Sequence, residues 1–149
     1  MDIKHKIQFG CNADELAMKV LSGKKTATSS LYDYHYNEYK DIIKVNEFAS
    51  ILDSHNKEIC IIQITKIEIV KFESITEKFS IEEGDVSLEN WKRIHTEYYS
   101  SILKKIGLKL TGETRLLCEW FTVVVPSRPT HPCRRVPGPG PLRQRRAAH

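Results

Sequence analysis

Two stretches of the chain carry apolar residues at steps of three and four, the period that predicts a helix with one buried side. The first covers residues 12–22, where Asn12 stands at a capping position and Gly23 follows the last turn. Its apolar positions form one stripe: Leu16, Val20 and Leu21.

The second helical stretch begins at Ser87 and again places its apolar side chains on one side. The positions predicted to face the core are Leu88, Trp91, His95, Tyr98, Ile102 and Ile106. Upstream of it, Ser74 and Glu77 match a capping box, which predicts a short helix over SITEKF.

Other segments alternate apolar and polar residues or are rich in β-branched residues, and these predict strands. Residues 47–53 and 59–72 form a predicted strand pair around a turn of Asp, Ser and Asn. The alternation shifts near Thr65 and Lys66, which indicates a bulge or bend. Residues 114–125 predict a closing strand, and the polar segment after the first helix is also predicted to be extended.

The order of these elements favours one fold class. Residues 31–45, aromatic and charged without a clear period, predict a loop with at most a helical turn. Helix, strand, loop, strand pair, helices and strand do not alternate as they do in a parallel sheet. The sequence therefore predicts an α+β fold with a mostly antiparallel sheet that could close like a barrel.

The charge of the chain changes abruptly near its end. Residues 126–149 hold all six prolines of the sequence and six arginines, without Lys, Asp or Glu. Subtracting those six charges from the net +4 leaves −2 for residues 1–125. We therefore expect a domain at 1–125 and a disordered tail at 126–149, either vector-derived or frameshifted, or a genuine basic tail that touches RNA.

Several classes of site and location are not favoured. The four cysteines, at 11, 60, 118 and 133, form no C-x-x-C pair and no zinc-finger spacing, so free thiols are expected. The sequence shows neither a metal-ligand cluster nor a phosphate-binding Gly-rich loop, and we expect no cofactor. No signal peptide or membrane span is visible, which predicts a cytoplasmic protein.

The segment SGKKTATSS, at 22–30, contains the first candidate chemistry. A lysine beside a hydroxyl helps to form an alkoxide or to neutralise an oxyanion. Lys25 and Thr28 are three residues apart, so they meet only if the backbone bends between them. The alternative is a polar helix-to-strand turn without chemistry.

Three further groups have both a functional and a structural interpretation. Glu82 and Glu83, in IEEGD, are paired carboxylates suited to acid–base work, but acids also favour a helix N-terminus. His95 and Trp91 lie on the predicted core stripe, where packing is the simpler role. The aromatic residues of the loop form either a base-stacking surface or loop packing: Tyr32, Tyr34, His35, Tyr36 and Tyr39.

In order along residues 12–125, four segments resemble the ASCH domain family: GKKTATSSL, FASILDSHNKEICIIQITKIEIVKF, ITEKFSIEEGDVSLENWKRIH and LLCEWFTVV. This resemblance implies a PUA-like, mostly antiparallel β-barrel with flanking helices and a cleft for a nucleobase or RNA. Some members of the family remove the acetyl group of N4-acetylcytidine, and others are assigned ribonuclease activity. Members of the deacetylase branch usually continue the Thr segment into an Arg, where this chain has Ser29 and Ser30.

The resemblance also implies roles for individual residues. Thr28 would attack an amide carbonyl, Lys25 would support its deprotonation, and Glu83, with Glu82 as a close rival, would orient the substrate or move a proton. The implied substrate-binding positions are Lys24, Thr26, Ser29, Tyr32, Asp85, Trp91 and His95. The expected partner is RNA or a modified nucleoside such as N4-acetylcytidine, and the alternatives are a non-catalytic RNA-binding module or a ribonuclease.

Overall fold

The computed structural model describes residues 1–34, 43–126 and 145–148, and within these ranges the chain forms one sheet with helices packed on it. The strands are β1 (Ile3–Phe9), β2 (Ala27–Leu31), β3 (Phe48–Leu52), β4 (Glu58–Lys71), β5 (Arg115–Pro126) and β6 (Arg145–Ala148). The helices are α1 (Ala13–Leu21), α2 (Glu77–Glu82) and α3 (Leu88–Lys104), with a 3₁₀ turn at Phe72–Ser74.

The sheet is open among the described strands, so the expectation of a barrel is wrong. The sheet is also mixed, although three of its five described strand pairs are antiparallel, as expected for a mostly antiparallel sheet. The strand order is β2-β5-β4-β3-β1-β6, with β2 and β6 at the two ends. The pairs β1–β3 and β1–β6 are parallel. The reason is the crossover: α1 and β2 lie between β1 and β3 in the chain, and a connection of that length lets β3 run parallel to β1. The α+β class itself is confirmed.

Strand β1 is an element that the sequence analysis missed. His5, Ile7 and Phe9 are buried while their neighbours are more exposed, which is the period of two expected for a strand with one face on the core. The sequence carries the same alternation, with Lys4, Lys6 and Gln8 on the other face, and His5 is the polar residue that interrupts its apolar side.

The predicted strand pair and closing strand are confirmed. β4 pairs antiparallel with both β3 and β5. The register of β4 against β5 shifts between Ile64 and Lys66, so the bulge predicted near Thr65 is present. A bulge increases the local twist, which curves this long strand around the core.

The ends of α1 and α2 differ partly from the predictions. Gly23 adopts the predicted left-handed conformation, with φ of 83°. Asn12 occupies the N-cap position of α1, but its backbone is left-handed and its side chain makes no capping bond. The helix α2 is capped by Thr76, whose hydroxyl accepts a hydrogen bond from Phe79 N at 3.1 Å. The predicted capping box at Ser74 is therefore wrong, because Ser74 lies in the preceding 3₁₀ turn.

Helix α3 begins after Ser87 as predicted, and the Ser87 hydroxyl accepts from Asn90 N at 3.1 Å. Its fully buried residues follow a strict step of four: Trp91, His95, Tyr99 and Leu103. The predicted stripe instead included Tyr98 and Ile102, which pack only at the edge of this core, and Ile106, which lies beyond the helix and is exposed.

Two hydrophobic clusters flank the sheet. One includes Phe9, Val20 and Phe121 and is covered by α1. The other includes Ala27, Trp91 and Tyr99 and is covered by α3. The segment between α1 and β2 therefore passes from one cluster to the other, and this segment contains the candidate lysine.

Some predictions concern residues outside the described ranges. Residues 32–34 are helical, but His35, Tyr36 and Tyr39 of the predicted loop lie outside the described residues. Of the predicted tail, residues 127–144 and 149 lie outside as well, while Arg145–Ala148 forms β6. The domain boundary at 125 stays a prediction. Among the described residues, no helix is both long and apolar enough to cross a membrane.

Candidate functional site

The segment between α1 and β2 is held against α1 and α2 by backbone hydrogen bonds. Lys25 N donates to Lys19 O at 3.0 Å, and Thr26 N donates to Glu82 O at 2.7 Å. These two bonds hold the backbone of this segment against both helices, and the Lys25 side chain is buried. Lys24 and Thr26, on either side, remain exposed.

Lys25 is the most unusual side chain of the site because a lysine is only 1% exposed. Its Nζ donates to Ala27 O at 2.8 Å and to Glu83 O at 3.1 Å, and it lies 3.5 Å from Glu83 Oε2. The ammonium also lies 5.2 Å from the centre of the Phe9 ring. Burial lowers the pKa of Lys25, and the nearby Glu83 charge opposes part of this effect.

Glu83 follows the last turn of α2 and is completely buried. Its neighbour Gly84 has φ of 95°, a conformation that favours glycine and turns the chain from α2 toward α3. Glu82 instead points to the sheet, where Trp120 Nε1 donates to its Oε1 at 3.1 Å. Of the two rival carboxylates, the structure therefore places Glu83 beside Lys25.

His95 contacts the same carboxylate from α3. Its Nε2 lies 3.2 Å from Glu83 Oε2, and its Nδ1 lies 2.8 Å from Trp91 O. The Trp91 ring stacks on the imidazole with centroids 4.1 Å apart. Both residues are fully buried. Trp91 packs in the core, whereas His95 packs there and also contacts the Glu83 carboxylate.

Asp85 completes a cluster of four ionisable side chains. Glu83, Asp85 and His95 each offer a ligand atom within 4.8 Å of the others, a spacing that the sequence analysis did not foresee. A metal cation there would compete with the Lys25 ammonium, 3.5 Å from Glu83 Oε2. We therefore interpret the cluster as an ion-pair network.

Two further candidates, Thr28 and Ser29, lie on β2. Thr28 is buried and pairs across the sheet with Glu119 on β5. Because side chains alternate along a strand, Thr28 and Ser29 face opposite sides of β2. The Ser29 hydroxyl lies 2.6 Å from the Tyr99 hydroxyl, on the side covered by α3. Tyr32, beyond the end of β2, instead holds the Arg115 guanidinium 5.0 Å from its ring centre.

A cleft of about 550 Å³ lies between α1 and α3, next to the ion-pair network. Its lining includes Lys19, Gly84, Asp85, Asn90, Glu97 and Tyr98. Among the predicted site residues, Asp85 lines this cleft, and the buried Lys25, Glu83 and His95 lie behind it. The structure thus brings Lys25, Glu83, Asp85, Trp91 and His95 together and leaves Lys24, Thr26 and Tyr32 apart.

Two buried residues near the site were not predicted. Burial, followed by the Glu83 charge, raises the pKa of Tyr99 well above its usual value. Glu119 is also completely buried. Glu119 had a signal in the sequence, because a carboxylate inside the apolar strand LLCEWF is rare without a partner. Tyr99 lies four residues after His95 and could have been found from a strict step of four.

Comparison with known proteins agrees with this architecture. An ASCH domain structure from Lactobacillus crispatus JV V101 is similar, with a TM-score of 0.74 and 28% identity over 82% of this chain and 80% of that chain. Protein EF3133 from Enterococcus faecalis V583 is similar with a TM-score of 0.77 and 29% identity, over 85% of this chain and 79% of that chain. A mutant of the ZmASCH protein from Zymomonas mobilis, 12% identical with a TM-score of 0.50 over 84% of this chain and 73% of that chain, shares the fold alone.

No curated protein sequence matched the chain significantly. The family model of the ASCH domain matches residues 5–125, which includes most of β1, the strands β2 to β4, all three helices and nearly all of β5. The chain therefore belongs to the ASCH domain family.

Proposed function

We propose that this protein binds a nucleobase, in RNA or as a modified nucleoside, and hydrolyses an amide on that base, with N4-acetylcytidine as the model substrate. The observation that carries the proposal is the pair of Lys25 and Glu83, whose Nζ and Oε2 lie 3.5 Å apart with both side chains fully buried. Removing two charges from water costs several kcal/mol for each ion, on the order of the stability of a domain, so such a pair needs a reason.

Lys25 is suited to act as the base. Its Nζ is directed to the carbonyl oxygens of Ala27 and Glu83, at 2.8 and 3.1 Å. Because burial lowers the pKa of Lys25, its neutral amine is populated at a lower pH than that of an exposed lysine. Glu83 then keeps the amine in place through its backbone carbonyl oxygen.

The proposed reaction uses the Thr28 hydroxyl as nucleophile. Thr28 Oγ1 forms a bond to the acyl carbon while Lys25 takes the hydroxyl proton. That proton passes to the exocyclic nitrogen as the carbon–nitrogen bond breaks, which leaves the free base and an ester on Thr28. Water then hydrolyses the ester, giving acetate and restoring Thr28 and neutral Lys25.

Asp85 is the proposed contact with the base, because it lines the cleft and lies beside Glu83. A carboxylate accepts a hydrogen bond from an exocyclic N–H of cytosine. Trp91 and His95 have no exposed surface, and His95 lies behind Glu83, so in this proposal they support the site without touching the base. Lys25 and Thr28 are 1% exposed and do not line the cleft, so the proposal requires the site to open before the acyl group can reach them.

The test is the release of cytidine and acetate from N4-acetylcytidine by the full chain, followed by chromatography. We expect Lys25→Met and Thr28→Val each to lower kcat/KM by at least about 100-fold, as for loss of a base or a nucleophile. Lys4→Met is the matched control, because exposed Lys4 also pairs with a glutamate, Glu47, at 3.6 Å. Thr122→Val, at an exposed threonine on β5, is the control for loss of a threonine hydroxyl.

Wild-type protein that releases no cytidine, or variants that turn over as fast as their controls, would reject the hydrolase. Cleavage of unmodified RNA would instead identify a ribonuclease. RNA binding without turnover, weakening steeply with salt because counterions are released, would identify a binding module.

A further inference from the structure

The two ring nitrogens of His95 both face oxygen atoms that accept hydrogen bonds. Nδ1 lies 2.8 Å from the Trp91 carbonyl oxygen, which can only accept, so Nδ1 carries a proton. Nε2 lies 3.2 Å from Glu83 Oε2. In a neutral imidazole with its proton on Nδ1, the Nε2 lone pair would face a carboxylate oxygen. A second proton must therefore lie between Nε2 and Oε2.

The surrounding charges decide which atom holds this second proton. The Nζ of Lys25 is 3.5 Å from the same Oε2 and favours an ionised Glu83. The Asp85 carboxylate, within 4.8 Å of the His95 and Glu83 ligand atoms, favours a positive imidazole ring. Placing the proton on Nε2 gives two cations and two anions, a neutral set for a buried site.

Other ionisable groups surround the cluster, and the buried carboxylate of Glu119 among them favours a positive imidazole ring, as Asp85 does. They are Tyr99 on α3, Cys118 and Glu119 on β5, and Lys19 on α1. Burial raises the pKa of both Tyr99 and Cys118, which keeps these groups neutral near neutral pH. The Lys19 ammonium is directed to Gly84 O, at 3.1 Å, on the cleft side.

We propose that His95 is an imidazolium that serves as the constant counter-charge of Glu83, and that it thereby allows Lys25 to give up its proton while the buried carboxylate stays paired. His95 is thus a positioning residue, since it acts on the reaction only through Glu83 and Lys25. The inference rests on the proposed function, in which neutral Lys25 takes the Thr28 proton. Lys25 releases its ammonium proton to water before the reaction begins.

The protonation of His95 is tested by nitrogen NMR of the full chain at neutral pH. The expected spectrum shows protons on both ring nitrogens of His95, and loss of the Nε2 proton in Glu83→Gln. His5 is the matched reference, because it is also buried and its Nε2 lies 3.1 Å from Glu47 Oε1. A bare Nε2 on wild-type His95 overturns the proposal. This measurement needs no turnover, so it separates failure of this inference from failure of the proposed function.

The effect on Lys25 is tested by the pH profile of kcat/KM. His95→Gln keeps a polar side chain but removes the positive charge, so Lys25 holds its proton to a higher pH. We expect the acidic limb of the profile to move upward by about one pH unit. The control His5→Gln should leave the limb in place.

Lower activity of His95→Gln with an unmoved acidic limb would show a purely structural role and would overturn the proposal. If His95→Gln does not fold, His95→Asn gives the same comparison.

Discussion

At the scale of single residues, the site depends on one oxygen atom. Oε2 of Glu83 lies 3.5 Å from Lys25 Nζ and 3.2 Å from His95 Nε2, and all three side chains are fully buried. Without this carboxylate, both partners would lose an ionic contact inside the core. The stability of the cluster therefore depends more on Glu83 than on Lys25 or His95.

Because both Lys25 and His95 depend on this carboxylate, we expect Glu83→Gln to lower the free energy of unfolding strongly. Removing one partner of a buried ion pair typically costs about 3 kcal/mol or more. Glu47→Gln is the matched control, since Glu47 also contacts a histidine and a lysine, but its side chain is 22% exposed. For this partly exposed group we expect a loss of about 1 kcal/mol. Urea unfolding of both variants measures the difference, and equal losses would contradict the argument.

Only part of this residue-scale arrangement was predictable from the sequence. The resemblance to a family predicted Lys25 and Glu83 as partners, and the structure places them together. The contact of Glu83 with His95 joins residues twelve positions apart across the α2–α3 turn. That contact depends on how two helices pack, which local patterns do not encode, so His95 was predicted to bind substrate.

At the scale of elements, α2 is a short helix that presents Glu83 to the site. It spans Glu77–Glu82, and Glu83 lies at its C-terminal end. A helix of this length has little stability of its own, because forming the first turn is unfavourable. Its position therefore depends on capping, on Gly84 and on the packing of Phe79.

The capping bond predicts a difference between two neighbouring hydroxyl residues. Thr76→Ala removes the acceptor of Phe79 N and should cost about 1 kcal/mol of unfolding free energy. Ser74→Ala, the matched control two residues earlier, should cost only a few tenths of that amount because Ser74 makes no cap. Thermal or urea unfolding compares them. A larger loss for Ser74→Ala would restore the capping box expected from the sequence.

Element prediction succeeded where one physical signal dominated. Apolar alternation identified β3, β4 and β5, and the helical period with polar ends identified α1 and α3. It failed for β1, although Lys4, Lys6 and Gln8 alternate there with Ile7 and Phe9, because the polar His5 stands on the apolar side of a short segment. The parallel pairing of β1 with β3 could not be predicted from the sequence, because it depends on the crossover through α1 and β2 and not on any local pattern.

At the scale of the whole molecule, the ion-pair network lies where the two hydrophobic clusters meet. Lys25 touches Phe9 of the cluster under α1, and His95 stacks on Trp91 of the cluster under α3. Water is excluded from both sides, which explains why charged groups here strongly affect one another. The cleft lined by Asp85 lies next to this network, between α1 and α3.

The burial of titratable side chains also predicts how the free energy of unfolding changes with pH. Burial raises the pKa of Cys60 from 9.0 to about 12, so above pH 9.0 the unfolded chain loses a proton that the folded protein keeps. Stability therefore falls as pH rises in this window. Tyr99 and Cys118 shift in the same direction. The lowered pKa of Lys25 acts oppositely, since below 10.5 the unfolded chain holds the proton that the folded protein has lost.

Because three groups oppose one, we expect net destabilisation above about pH 9, measured by urea unfolding at pH 8 to about 10.5. Cys60→Ala removes one of the three titrating groups. The smaller side chain also lowers the free energy of unfolding, but by an amount that does not depend on pH and so leaves the slope unchanged. The slope of unfolding free energy against pH should then be shallower by about 1 kcal/mol per pH unit. An unchanged slope would show that the Cys60 thiol titrates alike in the folded and unfolded protein, and that this part of the core admits water.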